Sequence, residues 1–161
     1  MQGESPLELA GEASARRPDA AGPHLARGLY LAARYHARKS PPPDPEDLEA
    51  GADAALHGAD LAFGAPMAFA FAADLLLEAG DRRDAEALLA IARGLEPENR
   101  YVLFQLARAA GARGELGPAL ELLRRAGRPD ELGEAGYTFA KDPCLRGLLE
   151  QQAFKDYLKA R

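Results

Sequence analysis

The chain has 161 residues, 47% of them hydrophobic and 28% charged, a balance that suits one folded domain with a core of its own. A formal net charge of −5 argues against a nucleic-acid footprint, and a single cysteine, Cys144, excludes an intrachain disulfide framework or a cysteine-rich zinc site. No apolar run approaches the roughly 20 residues of a membrane span, and the acidic start lacks the layout of a signal peptide, so a cytoplasmic protein is expected.

The fold class follows from what is scarce. Ile91, Val102 and Thr138 are the only β-branched residues, which leaves a sheet almost nothing to be built from. Alanine, leucine, glutamate and arginine dominate, and these are strong helix formers. The chain is expected to be all-α. Residues 1–22 hold Ser5, Pro6, Pro18 and Gly22 among small and charged residues, and read as a mostly flexible segment. From Pro23, residues Leu25, Leu29, Ala32, Ala33 and His36 follow one helix face, which must stop before Ser40 and the three prolines after it. Asp44 and Pro45 read as an N-cap and a first helical residue. The helix they open would bury Leu48, Ala52, Ala55, Leu56 and Ala59, and Gly64 with Pro66 closes it.

The next stretch repeats. Ala73 and Ala107, Gly80 and Gly114, Ala85 and Ala119, Leu89 and Leu123, and Ala92 and Ala126 each lie 34 residues apart. Each unit runs helix, glycine turn, helix, and a fixed period in this range marks stacked helical hairpins. Small residues such as Ala73 with Ala85, and Ala107 with Ala119, suit places where helices cross closely. A coiled coil would need a seven-residue stripe, and Gly80, Gly94, Gly111 and Gly114 interrupt any long helix. Residues 131–140 then read as a short helix. Asp142 and Pro143 repeat the earlier cap signal, ahead of an apolar face of Leu145, Leu148, Leu149, Phe154, Tyr157 and Leu158.

These units resemble the tetratricopeptide repeat family. The first carries Phe69, Ala73, Leu76, Gly80, Ala85, Leu89, Ala92 and Pro97 at the family's motif positions. The second supplies Leu103, Leu106, Ala107, Gly114, Ala119, Leu123 and Ala126, and departs afterwards, with Glu131 where the family has proline. The resemblance implies a right-handed superhelix of antiparallel helical hairpins, a TPR-like α-α solenoid ending in a C-terminal capping helix. Its divisions would be a degenerate hairpin at 23–64, repeats at 66–99 and 100–133, and a capping segment at 134–161. The arginine-rich, lysine-poor composition points to a bacterial source.

No phosphate-binding loop, Gly-x-Ser-x-Gly or His-Glu-x-x-His occurs. The three histidines, His24, His36 and His57, are not at ligand spacing on one helix. Cys144 follows a cap, where a helix dipole lowers a thiol pKa, or it is a small inert residue of the capping segment. The expectation is therefore no enzyme, no cofactor and no metal. What the resemblance implies instead is a concave groove that takes a peptide or helix of a protein partner, a non-enzymatic adaptor. Its groove positions fall on Met67, Ala70, Phe71 and Asp74, and on Tyr101, Phe104, Gln105 and Arg108. Phe71 and Phe104 fit two placements, the groove or the packing between units. The lysine and asparagine with which chaperone-binding relatives clamp a C-terminal carboxylate are absent. A type III secretion translocator chaperone, using the same groove, is one alternative. A regulatory subunit or cryptic enzyme with a site among His36, His57 and the acidic helix starts is another.

Overall fold

The computed structural model describes residues 45–61, 66–128 and 137–160, together with residues 13, 15 and 16. Among the described residues the chain is all-helical and holds no strand. Proline opens two of its helices, α1 (Pro45–Leu61) and α2 (Pro66–Ala79), at the one position where a missing N–H costs nothing. Four more follow: α3 (Arg82–Leu95), α4 (Arg100–Ala112), α5 (Leu116–Ala126) and α6 (Gln152–Lys159), with a 3-10 turn at Arg146–Leu148. Neighbours in sequence are neighbours in space. Helix α1 packs on α2, α2 on α3 and α4, α3 on α4, α4 on α5, and α5 on α6.

The two hairpin turns have the same construction. At the first, Asp81 N donates to Leu76 O (2.9 Å) and Gly80 N to Leu77 O (3.2 Å). At the second, Glu115 N donates to Ala110 O (3.0 Å) and Gly114 N to Gly111 O (2.8 Å). This crossed pair of bonds ends a helix with one residue in the left-handed region. Gly80 and Gly114 take that conformation at φ +88° and +77°, where a side chain is strained. The turns differ in what starts the next helix. Asp81 accepts from Asp84 N (3.2 Å), whereas Glu115 makes no such side-chain cap. Between the hairpins, Asn99 caps α4 by accepting from the Tyr101 and Val102 amides.

The alanines and leucines of the 34-residue period are all buried, while its two glycines lie exposed in the turns. Ala73, Ala85, Leu89 and Ala92 are fully buried, and so are Ala107, Ala119, Leu123 and Ala126. They belong to two clusters. The first gathers Ala73, Leu75, Ala85, Leu89, Ala92 and Val102 between α2, α3 and α4. The second gathers Leu103, Phe104, Ala107, Leu123, Leu148 and Phe154 between α4, α5 and the C-terminal elements. Helix α4 supplies both and has almost no wet surface.

Two local expectations are corrected. The short helix expected over 131–140 does not reach its described end, since Tyr137 and Thr138 are non-helical and 139–141 form a turn. After Asp142 and Pro143 the chain makes one turn and a 3-10 turn rather than a full helix; the helix begins only at Gln152. The cap itself is present, with Asp142 Oδ1 accepting from Cys144 N at 2.7 Å. In α1, Ala55 is buried and Leu56 half-buried, while the side chains of Leu48, Ala52 and Ala59 lie outside the described set. The expected flexible segment 1–22 (apart from 13, 15 and 16), the expected helix from Pro23, His24 and His36 also fall outside the described residues.

Candidate partner-binding face

Helix α4 reads RYVLFQLARAAGA, apolar on every side except for Gln105 and Arg108 in its middle. A helix apolar all round is a buried helix, so both polar side chains go under cover and need partners there. Arg108 is 3% exposed. Its Nε donates to Asp142 Oδ2 at 2.8 Å and one terminal nitrogen donates to Gln105 Oε1 at 2.9 Å. The same nitrogen bonds Asp74, and the other bonds Glu78. Asp74 and Glu78 stand one turn apart on α2; Asp142 arrives from the C-terminal segment. Three carboxylates thus surround one guanidinium.

Burial alone would lower the Arg108 pKa, but the charges of Asp74, Asp142 and Glu78 outweigh it and hold the group well above its ordinary value. Asp142 is held from two further sides, by the Tyr137 hydroxyl and the Cys144 amide. Burial, reinforced by the Asp142 charge, pushes the Tyr137 phenol well above its usual range. The Tyr101 hydroxyl donates to Asp74 Oδ2 at 3.3 Å. Ion pairs on the surface are of another kind. Arg113 with Glu115 and Arg125 with Glu98 are solvent-exposed and contribute little.

Residues 137–148 lie across α4 above this network. Tyr137 meets Phe104 edge-on with ring centroids 5.3 Å apart, and a run of edge-on rings continues through Phe139 to Phe154. Further along α4, a Cβ on Gly111 would come within 2.8 Å of the Cys144 carbonyl oxygen and would collide with the Leu145 side chain. Glycine is what lets the two backbones approach.

The expected groove residues therefore divide. Asp74, Tyr101, Gln105 and Arg108 meet in one network, with Phe104 on the same face of α4. Gln105 and Arg108, expected at groove positions, and Phe104, for which groove and packing both stood open, are all buried, with Tyr137 of the C-terminal segment against Phe104 and Asp142 against Arg108. Met67 is 47% exposed and Phe71 is half-buried against the first cluster. Met67, Phe71, Asp74 and Glu78 follow helical spacing along one stripe of α2, running from water at Met67 to the covered network at Glu78. The sequence reading missed Glu78, Gly111 and Tyr137 as members of this site and saw Asp142 only as a cap. The signals were available: Asp74 and Glu78 are the only acids of α2, on one face, opposite the only cation of α4's interior.

Cys144 sits at the edge of the network, 5% exposed. Burial pushes its thiol up to about 12, and Asp142 adds to the effect against the lowering influence of Arg108. The dipole-activated reading does not hold. The native chain is expected to react with an alkylating reagent at pH 8 at least about 100-fold more slowly than the chain unfolded in denaturant, because the thiolate is the reacting form. Stopped-time labelling read by mass spectrometry checks this. His57 is exposed on α1, and among the described residues no group of three or more His, Cys, Asp and Glu is arranged to hold a metal ion. Among those residues no helix is long and apolar enough to cross a membrane. Compared with known proteins, the chain matches no family model and no curated sequence.

Proposed function

We propose that the chain is a non-enzymatic interaction module of the tetratricopeptide kind, a cytoplasmic adaptor whose hairpins wind as a right-handed superhelix and grip a peptide or helix of a protein partner. The observation that carries the reading is the equivalence of positions 34 residues apart: buried alanines and leucines match in pairs, and both hairpins close through the same left-handed glycine turn. Stacked units of this sort generate an extended concave surface from the first helices of successive hairpins, here α2 and α4. The stripe that begins at Met67 and Phe71 is the open end of that surface and the place where a partner makes first contact. An exposed methionine and a half-buried phenylalanine beside a carboxylate make an apolar patch with a polar edge, the kind of surface on which a partner's anchor residues pack.

The test is affinity capture from the native cell lysate, wild type beside Met67→Glu. Met67 is exposed, so the substitution is expected to leave helicity and melting temperature close to wild type. A single stoichiometric partner, identified by mass spectrometry and lost in the variant, is the expected result. A partner retained equally by the variant, or none from a folded protein, removes this reading.

A further inference from the structure

The second half of the proposed groove is already occupied, by the chain itself. Residues 137–148 contain no α-helix, only turns and a 3-10 turn that packs on α4, and they meet it through Tyr137, Asp142 and the buried Leu145 and Leu148. We propose, building on the adaptor reading, that residues 137–148 are a resident ligand of the α4 face, a displaceable strap whose chemistry marks the partner that replaces it: a segment with an aromatic side chain for Phe104 and an aspartate or glutamate for Arg108.

Three observations support this. The first is how charge is shared. Arg108 keeps Asp74 and Glu78, both on α2, when Asp142 departs, so the buried cation is never left alone. Asp142, once released, becomes a solvated carboxylate. Losing one partner of a buried pair is ordinarily severe because the other is stranded; here neither is. The second is an unmet donor. Gln105 Nε2, fully buried beside Arg108, has no hydrogen-bond partner while the strap is in place. A segment whose carbonyl or carboxylate oxygen reached that donor would gain a bond that the resident does not make. The third is continuity. The α2 stripe leads from exposed Met67 to Glu78, so a partner held at the open end reaches the strap without crossing a gap.

The test uses the full chain and a synthetic peptide of residues 137–149. In Asp142→Ala, amides of 137–149 are expected to exchange at least tenfold faster than in wild type, while α2, α3 and α4 keep their protection. The peptide is expected to bind this variant saturably, to bind wild type at least tenfold more weakly, and to lose binding when its own Asp142 is alanine. Loss of protection across α2 to α4 together with the strap would make it an inseparable part of the core and overturn the proposal. So would unchanged strap exchange, or an uncovered α4 face that refuses the peptide. If Asp142→Ala does not fold, Asp142→Asn keeps the cap on Cys144 and removes only the charge, and the same outcomes decide. This assay reads α4 alone and the Met67→Glu capture reads the open end alone, so failure of one is distinguishable from failure of the other.

Discussion

Phe104→Ala is expected to destabilise the chain by about 3–5 kcal/mol, the cost of deleting a large buried aromatic and leaving a cavity. The ring is 1% exposed and belongs to the cluster that joins α4 to α5, the 3-10 turn and α6. Its edge-on contact with Tyr137 is lost as well, and such pairs add roughly 0.5–1.5 kcal/mol beyond burial. A loss of that size is a large share of the about 5–15 kcal/mol that holds a typical domain together, and should lower the melting temperature by roughly 10 °C or more. Denaturant titration gives the midpoint. The result discriminates between the two placements that the sequence left open. A groove aromatic facing water would cost little when truncated, so a variant near wild type would mean that the C-terminal segment does not seat on α4 in solution.

Arg108→Met keeps much of the volume and removes the charge. It leaves Asp142, which has no exposed side-chain surface, facing Asp74 and Glu78 with no cation between them. Removing one side of a buried ion pair is expected to cost about 3–5 kcal/mol, most of it the penalty of the charge left behind. The diagnostic measurement is a double-mutant cycle with Asp142→Asn. If the network is the origin of the loss, neutralising Asp142 in the Arg108→Met background should return part of it, with a coupling of about 1–3 kcal/mol. Purely additive effects would mean that Arg108 and Asp142 do not meet. The same logic separates this network from the exposed Arg113 and Arg125 pairs, whose removal should change stability by well under 1 kcal/mol.

Much of the fold was legible because helices announce themselves by spacing. The 34-residue offset picked out positions that turn out buried, and Gly80 and Gly114 marked the turns because a left-handed residue is where glycine is needed. Pro45 marked a helix start for an equally local reason, whereas Pro66, read as closing the helix before it, opens the next one. What failed was the covering of α4. Periodicity tells which face of a helix is apolar, but α4 has no polar face to subtract, and Arg108 was given a groove position by the tetratricopeptide resemblance alone, although a buried charge is rare. Two facts spoke against that. An interior arginine flanked by Leu106, Ala107, Ala109 and Ala110 has no wet side to turn to, and Glu78 repeats the acid of Asp74 one turn later. The C-terminal strap was harder, because a segment of turns carries no period at all. Its course over α4 rests on single contacts, Tyr137 with Phe104 and Leu145 over Gly111, that no local rule anticipates.

The position of α4 has a bearing on how the molecule comes apart. Val102 and Ala109 face one cluster, while Leu103, Phe104, Ala107 and Ala110 face the other. In many repeat arrays each unit meets the next across a surface, and units at the ends melt ahead of the middle when that surface is weak. Here the junction is an entire helix that both sides use as a wall. Dissolving the hairpin of α2 and α3 wets one side of α4, and stripping α5 wets the other, so either event removes the support of the half that remains. The two hairpins are therefore bound to a common fate, and cooperativity in this chain is a property of thirteen residues.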